Sequence, residues 1–552
     1  MTKIAKMTRG GGGVSLRNLR RCAVKRAGFK AAFAASLMAF AALPALADTH
    51  SWRGPHGNFS VGSNWSNDAA PSAGDDLTFY RAAANASTWQ YATNDLSATF
   101  GEIQFSAGNV DIAGNLTTGS GKNLRIATGD DAAQSPFAAV NKSSGNWTVG
   151  KDIYIGGTDT GMTGVLTNKA GNITATSGWI YIGGTRTGAE LPNVTGTLVN
   201  VSGTVKTAVM VIGGRANNTK GRLEIRGGTV EASSYHDKMV DNSTWVGVLL
   251  GGWGGANSSI YVAKGGTMKL SCNGANIVVL DGTTEIDVDG LLTLNNGSIW
   301  PTSAVKEQKK FVLRVGPEGR VEFRSIKSVS SGGDRMVKLD GGTIVPNGAS
   351  GYEHPLANVS LKVTDKGGTI EVPSGKSLKT GVYVQSTSSA KSSRLIKTGA
   401  GTLTINNYFR PAGGLDVREG TAAIQHNTGN FASFNYPLAL SGTATVTSGA
   451  LAFGSGSSLS FDCKSKTSKP TMTVSTSFTR SAEVPVTFKT AAPFAFDDTY
   501  TLIAGGKIAN TNNFTVASAT ANGVDITGNV YLAVESGNLV LKRKPYFMIK
   551  VR

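Results

Sequence analysis

Between residues 153 and 270 the hydrophobic positions fall in short runs at near-regular intervals, each bounded by glycine. Ile153-Tyr154-Ile155, Ile180-Tyr181-Ile182, Met210-Val211-Ile212 and Val248-Leu249-Leu250 are each followed by a Gly pair, at Gly156, Gly183, Gly213 and Gly251. A second landmark opens a strand: Gly171-Asn172-Ile173, Gly203-Thr204-Val205, Gly228-Thr229-Val230 and Gly266-Thr267-Met268. The first landmark leads the second by 15, 20, 15 and 15 residues, and the longer interval carries an insertion around Glu190-Leu191-Pro192. Seven residues before each second landmark stands another turn residue: Gly164, Gly196, Gly221 and Ser259. Short apolar runs bounded by Gly and rich in Thr and Val read as strands, not helices. Fixed offsets inside units of 27 to 38 residues predict rigid strands joined by turns, with insertions confined to one loop.

Each unit offers about three strands, too few to bury their own apolar face, so neighbouring units must stack into a continuous core. Two slots run up the predicted stack: Leu166, Leu198, Leu223 and Ile260, then Asn168, Asn200, Ile225 and Val262. The Asn pair either stacks as an amide ladder or points into a turn. After 270 the same grammar continues with looser spacing, as in Gly341-Gly342-Thr343 and Gly367-Gly368-Thr369. A dozen coils at about 4.8 Å each would make a rod of roughly 60 Å. The expected fold class is all-β, a right-handed parallel β-helix with a β-rich C-terminal closing module. The expected segments are a signal peptide (1–47), a Trp-rich cap (48–100), the β-helix (101–425) and the closing module with a basic tail (426–552).

The first 47 residues fit an export leader. A basic stretch ends in Lys25, Arg26 and Lys30, an apolar run spans Ala31 to Leu43, and Ala45-Leu46-Ala47 forms a small-x-small site before Asp48. Cleavage is therefore expected between Ala47 and Asp48. The run is too short for a membrane span, and none is expected in the mature chain. Of the net charge of +18, the leader holds nine basic residues and no acidic one. The remaining charge is interspersed apart from the tail (Lys542, Arg543, Lys544, Lys550, Arg552), so a nucleic-acid partner is not expected. The two cysteines beyond the leader, Cys272 and Cys463, have no metal-ligand spacing, and the chain is not built on disulfides.

Three segments together resemble secreted bacterial proteins with autotransporter-associated β-strand repeats. The opening Trp52-Arg53-Gly54 through Asn64-Trp65, with Pro71 and Asp75-Asp76-Leu77-Thr78-Phe79, is similar to their Trp-rich start. Leu395-Ile396-Lys397-Thr398-Gly399-Ala400-Gly401-Thr402-Leu403-Thr404-Ile405, continued by Gly413-Gly414-Leu415-Asp416-Val417 and Glu419-Gly420-Thr421, resembles the repeat itself. Thr499-Tyr500-Thr501-Leu502-Ile503 and Gly537-Asn538-Leu539-Val540-Leu541 are similar to the usual finish. The resemblance implies a right-handed parallel β-helix displayed outside the cell, usually without known catalysis. Polysaccharide or cell-surface components are the expected partners. The alternating strands of a translocator barrel do not follow, so self-translocation is not expected.

Catalytic chemistry would need convergent side chains. Glu285, Asp287 and Asp289 alternate with Ile286 and Val288, so they project from one face about 6.8 Å apart. That spacing suits a carboxylate pair for glycoside hydrolysis or a hard cation, but a solvated outer face is the expected role. Asp75/Asp76, Asp130/Asp131 and Asp497/Asp498 read as turn residues. His50, His56, His236, His354 and His426 never fall at metal spacing. Ser374-Gly375-Lys376-Ser377 lacks the first glycine of a phosphate loop, and Gly251 to Gly255 reads as a corner. Catalytic residues, cofactor and metal ligands are thus all expected to be absent. Trp179, Tyr181, Trp245, Trp253 and Tyr261 form a candidate glycan platform, with Tyr181 in the place of Tyr154 one unit earlier. Exported glycan binding, or a polysaccharide-active enzyme, is the alternative to an adhesive or structural rod.

Overall fold

Alternation along each short strand closes the coil. Ile153 and Ile155 are buried while Tyr154 faces outward, and Leu166 and Asn168 are buried between outward-facing Val165 and Thr167. The computed structural model describes residues 47–80, 88–128, 137–156, 160–185, 192–214, 218–237, 245–251, 256–280, 282–301, 308–328, 334–349, 353–381, 383–406, 408–425 and 434–545. The expected leader up to Leu46 lies outside them, as do Asp130, Asp131, Trp253 and His426.

One coil consists of three strands, such as Thr163–Asn168, Ile173–Ala175 and Trp179–Ile182. Each pairs in parallel with its counterpart one coil on, in Thr195–Asn200, Thr204–Thr207 and Val209–Ile212. Repetition generates three long ladders. Among the described residues, sheet A has 20 strands beginning at Thr49–Trp52, and sheet B has 14, from His56–Asn58 to Phe409–Arg410. Sheet C starts at Thr99–Phe100, which among the described residues pairs only with Leu116–Thr118, and ends at Val524–Asp525, so it is an open ribbon. The fold is the expected parallel β-helix. All but the last two strands of the 20 in sheet A run parallel, which at about 4.8 Å per step gives roughly 80 Å. The column exceeds the expected length because stacking begins at Thr49 and continues past 425, where Thr421–Ile424 pairs with Thr445–Ser448.

The two ends are closed differently. At the start, Trp52, Phe59, Trp65, Phe79, Phe100 and Phe105 are all buried and pack ring on ring. Toward the other end sheet B has no described strand after Arg410, and sheet A strands lengthen to Thr445–Phe453 and Thr471–Arg480. The hairpin Val530–Glu535/Asn538–Arg543 then lies antiparallel on Thr499–Ile503. This is the β-rich closure: it covers a ladder edge that would otherwise pair with another chain.

The glycine landmarks mark corners where backbones nearly touch. At Gly183 φ is +76°, and a Cβ would stand 2.1 Å from Lys220 O; at Gly203 φ is +73°, and a Cβ would stand 2.0 Å from Gly171 O. Left-handed backbone and close approach both require glycine there. The register corrects one sequence alignment. Gly221 pairs with Ser258 and Arg222 with Ser259, because the corner Ala263–Gly265 holds one residue more than Arg226–Gly227. Ser258 takes the inward place, where its Oγ donates to Ile212 O at 2.7 Å and accepts from Gly251 N at 2.6 Å. Both apolar slots stack as expected, and Asn168 Nδ2 donates to Asn200 Oδ1 at 2.7 Å. The amide ladder is therefore formed, and the same amides also donate to turn carbonyls, Asn168 to Gly171 O and Asn200 to Gly203 O.

Two fully buried lysines complete the interior. Lys142 fills the Asn168 slot one coil earlier and donates to Ala170 O. Lys397 Nζ donates to the carbonyls of Thr398 (2.8 Å), Gly399 (2.5 Å) and Glu419 (3.0 Å). Burial pushes both ammonium groups down to about 8 from the ordinary 10.5. Between those values the unfolded chain binds more protons than the folded one, so stability from this source rises with pH through the window and is lowest below it. Denaturant unfolding of wild type and Lys397→Met should show the wild type gaining on the variant from about pH 8 to about 10.5. A difference that stays flat across the window would contradict the assignment.

Candidate functional site

The outer face of sheet B carries a groove of about 310 Å³ over four successive coils. Its walls are two rows set by the ladder register. One row runs Thr195, Lys220, Asn257 and Thr283; the other runs Thr197, Arg222, Ser259 and Glu285. Strand alternation puts these side chains outside because Leu198, Leu223, Ile260 and Ile286 occupy the core between the coils. Arg222 Nε is 2.5 Å from Glu224 Oε1, and Arg226 reaches Glu224 Oε2 through Nε at 2.9 Å and Nη2 at 2.8 Å. Burial acts to raise the Glu224 carboxyl, but the two guanidiniums hold it below its ordinary value. At the far end Lys310 Nζ is 2.6 Å from Glu285 Oε1.

Glu285 and Asp287 do share the outer face, as the alternation requires. They do not converge with Asp289 on a common point: among the described residues no three acidic, His or Cys side chains are placed to hold a metal ion. Glu285 is taken by Lys310, and Arg314 approaches Asp289 at 3.4 Å while bonding Asp340 at 2.7 Å. Burial raises the Asp287 carboxyl, opposed by Arg314 and reinforced by Glu285 and Asp289.

Sheet A presents a different surface. Tyr154 and Tyr181 are register partners with parallel rings, 4.9 Å apart and 3° from coplanar in tilt, so the expected aromatic ladder exists. Arg125 lies over Tyr154 at 5.1 Å. The row continues through Val211, Leu249 and Val278 to Trp300, where Lys327 sits 5.2 Å above the ring. Val211, Leu249 and Val278 belong to a second apolar cluster that includes Val209, Val246 and Leu280. Trp179 packs against this cluster and meets His236 edge-on at 4.9 Å. The aromatic platform is thus split. Tyr235 and Trp245 stack at 4.6 Å on the segment that returns to sheet A, whereas Tyr261 belongs to sheet B.

The remaining candidates have structural places. His50 Nε2 lies 3.1 Å from Asp75 Oδ2, both buried. His56 lies tilted against Tyr91, ring centroids 5.3 Å apart, and Asp498 caps a turn at Ala495 N (2.7 Å) while pairing with Lys466 (3.0 Å). Cys272 and Cys463 are both free; burial pushes the Cys463 thiol up to about 12. Sequence reasoning missed Lys220 and Arg222, the His50–Asp75 pair and the buried lysines. The continuous apolar runs Met210-Val211-Ile212 and Val248-Leu249-Leu250 did hold the signal for the second cluster, since strands covered on both faces lose their alternation. Comparison with protein families, curated proteins and solved structures finds no match to this chain.

Proposed function

We propose that the protein is an exported, non-catalytic β-solenoid of the autotransporter-associated-repeat kind, a rigid rod that binds polysaccharide or cell-surface material outside the cell. The observation that carries this reading is the groove of cations and hydroxyls held on the outside of an uninterrupted ladder. A stacked column presents such a surface without moving parts, because each coil is fixed by both neighbours. Screening the chain from Asp48 onward on a glycan array, with reducing-sugar release measured on the polymers it binds, tests the reading. Glycan binding without sugar release is expected; sugar release would replace the rod by an enzyme.

Export predicts a particular chain start. Asp48 N lies 3.1 Å from Oδ1 of buried Asp75, whose Oδ2 also accepts from Ser72 N at 2.7 Å. Cleavage after Ala47 would turn that amide into an α-ammonium seated on the carboxylate, a stronger charge-assisted bond. The chain starting at Asp48 should melt at a higher temperature than one retaining Ala45-Leu46-Ala47, and Asp75→Asn should abolish the gap. Equal melting temperatures, or amino-terminal sequencing of extracellular protein that finds another start, would argue against this site.

A further inference from the structure

Charge in the sheet B groove is concentrated on one rung. Lys220 is exposed and has no carboxylate partner among the described residues, and Arg222 shares Glu224 with Arg226. Two guanidiniums and an ammonium therefore face a single carboxylate, leaving an excess of positive charge on this rung. The Arg222 Nε is committed to Glu224, which leaves its terminal nitrogens to meet an incoming anion. On the rungs to either side stand hydroxyl and amide groups: Thr195 and Thr197 before it, Asn257, Ser259 and Thr283 after it. At the distal end Glu285 is neutralised by Lys310, so the field does not reverse along the groove.

This pattern selects a ligand class. A polyanion such as nucleic acid or an acidic peptide would want cations on successive rungs, spaced with its own charges. A neutral sugar bound by stacking would want aromatic rings, and none of the described residues lining this groove is aromatic. One cationic rung between hydroxyl-rich rungs fits a chain rich in hydroxyl groups that carries an acidic group at intervals. We propose that this groove binds an acidic glycan, its anionic group on Lys220 and Arg222 and its neighbouring hydroxyls on the Thr, Ser and Asn rungs. The proposal names the ligand of the exported rod proposed above and rests on that reading.

The test is titration calorimetry on the chain from Asp48 onward with oligogalacturonate, a sulfated oligosaccharide, a neutral oligosaccharide of equal length and polyglutamate. At least one of the two acidic glycans should bind, with the two arms telling carboxylate from sulfate, and affinity should fall as salt rises. Lys220→Gln/Arg222→Gln should weaken binding by about tenfold or more, the scale expected when charge partners are truncated. Both side chains are exposed, so the fold should survive, and an unchanged circular dichroism spectrum would verify it. Lys264→Gln, which removes one positive charge from a residue paired with Glu318 elsewhere, should leave binding nearly unchanged, and Thr197→Val should weaken it without altering charge. Failure of both acidic glycans to bind, equal binding of polyglutamate, or indifference to the double variant would overturn the proposal. Extracellular protein that binds only neutral glycans would sink this inference and leave the rod reading intact. Protein retained in the cytoplasm would sink the rod reading whatever the groove binds.

Discussion

Trp65→Ala is expected to cost about 3–5 kcal/mol, the range for emptying a large aromatic site in a core, and to loosen the first coils before the rest. Trp65 is fully buried, donates from Nε1 to Phe59 O at 2.9 Å, and meets Trp52, Phe59 and Phe79 at ring-centroid distances of 5.0, 5.2 and 5.9 Å. Alanine would leave a cavity among three rings and strand the Phe59 carbonyl. In a stacked array, stability is a sum of coil and interface contributions, so damage at one end stays near that end. Hydrogen exchange should show amides of Thr49–Trp52 and Asp76–Phe79 losing protection while strands beyond 150 keep theirs. A loss spread evenly over the chain, or one below about 1 kcal/mol, would contradict the cap assignment.

The second large effect is expected at the amide ladder. Asn200 Nδ2 lies within hydrogen-bonding distance of Gly203 O (3.3 Å), Gly227 O (2.9 Å) and Thr229 O (3.5 Å), and its Oδ1 accepts from Asn168. Asn200→Leu keeps the branched shape but strands these groups in the core. At about 1–3 kcal/mol for each buried group left without a partner, a loss of about 3 kcal/mol or more is expected in urea unfolding. Replacing both residues by leucine should cost less than the sum of the single changes, because the one Asn168–Asn200 hydrogen bond is lost in each single variant and only once in the double. Ile225 and Val262 fill the same slot in the next two coils, so an apolar occupant suits the position. Strict additivity would mean that the two amides do not depend on each other.

The coil architecture was legible because its physics is local. Gly183 and Gly203 sit where backbones come too close for a Cβ, and Ile153, Ile155, Leu166 and Leu198 alternate with outward residues. The groove was not legible, because its rows are assembled by register. Thr195, Lys220, Asn257 and Thr283 occupy one row at unequal sequence intervals. Counting back from Gly266 places Ser259 where Ser258 belongs, and since a one-residue slip exchanges the two faces of a strand, that count hides a groove residue in the core. The His50–Asp75 pair carries no motif, and nothing in the sequence marks Lys142 as buried; the ladder register puts it in the Asn168 slot. The second apolar cluster was partly legible, in runs with no polar alternation.

Everything functional here depends on the coils stacking in the stated register, which spin-label distances measure directly. Thr148 and Thr293 lie outward on sheet C, linked rung by rung through Thr174, Lys206, Glu231 and Lys269. With Cys272 and Cys463 replaced by serine and labels at Thr148 and Thr293, five steps of about 4.8 Å give a separation of roughly 24 Å. Moving the first label to Thr174 should shorten it by one step, and moving it on to Lys206 by another. A separation that stays constant or changes irregularly as the label advances would show that these strands are not successive rungs of one column.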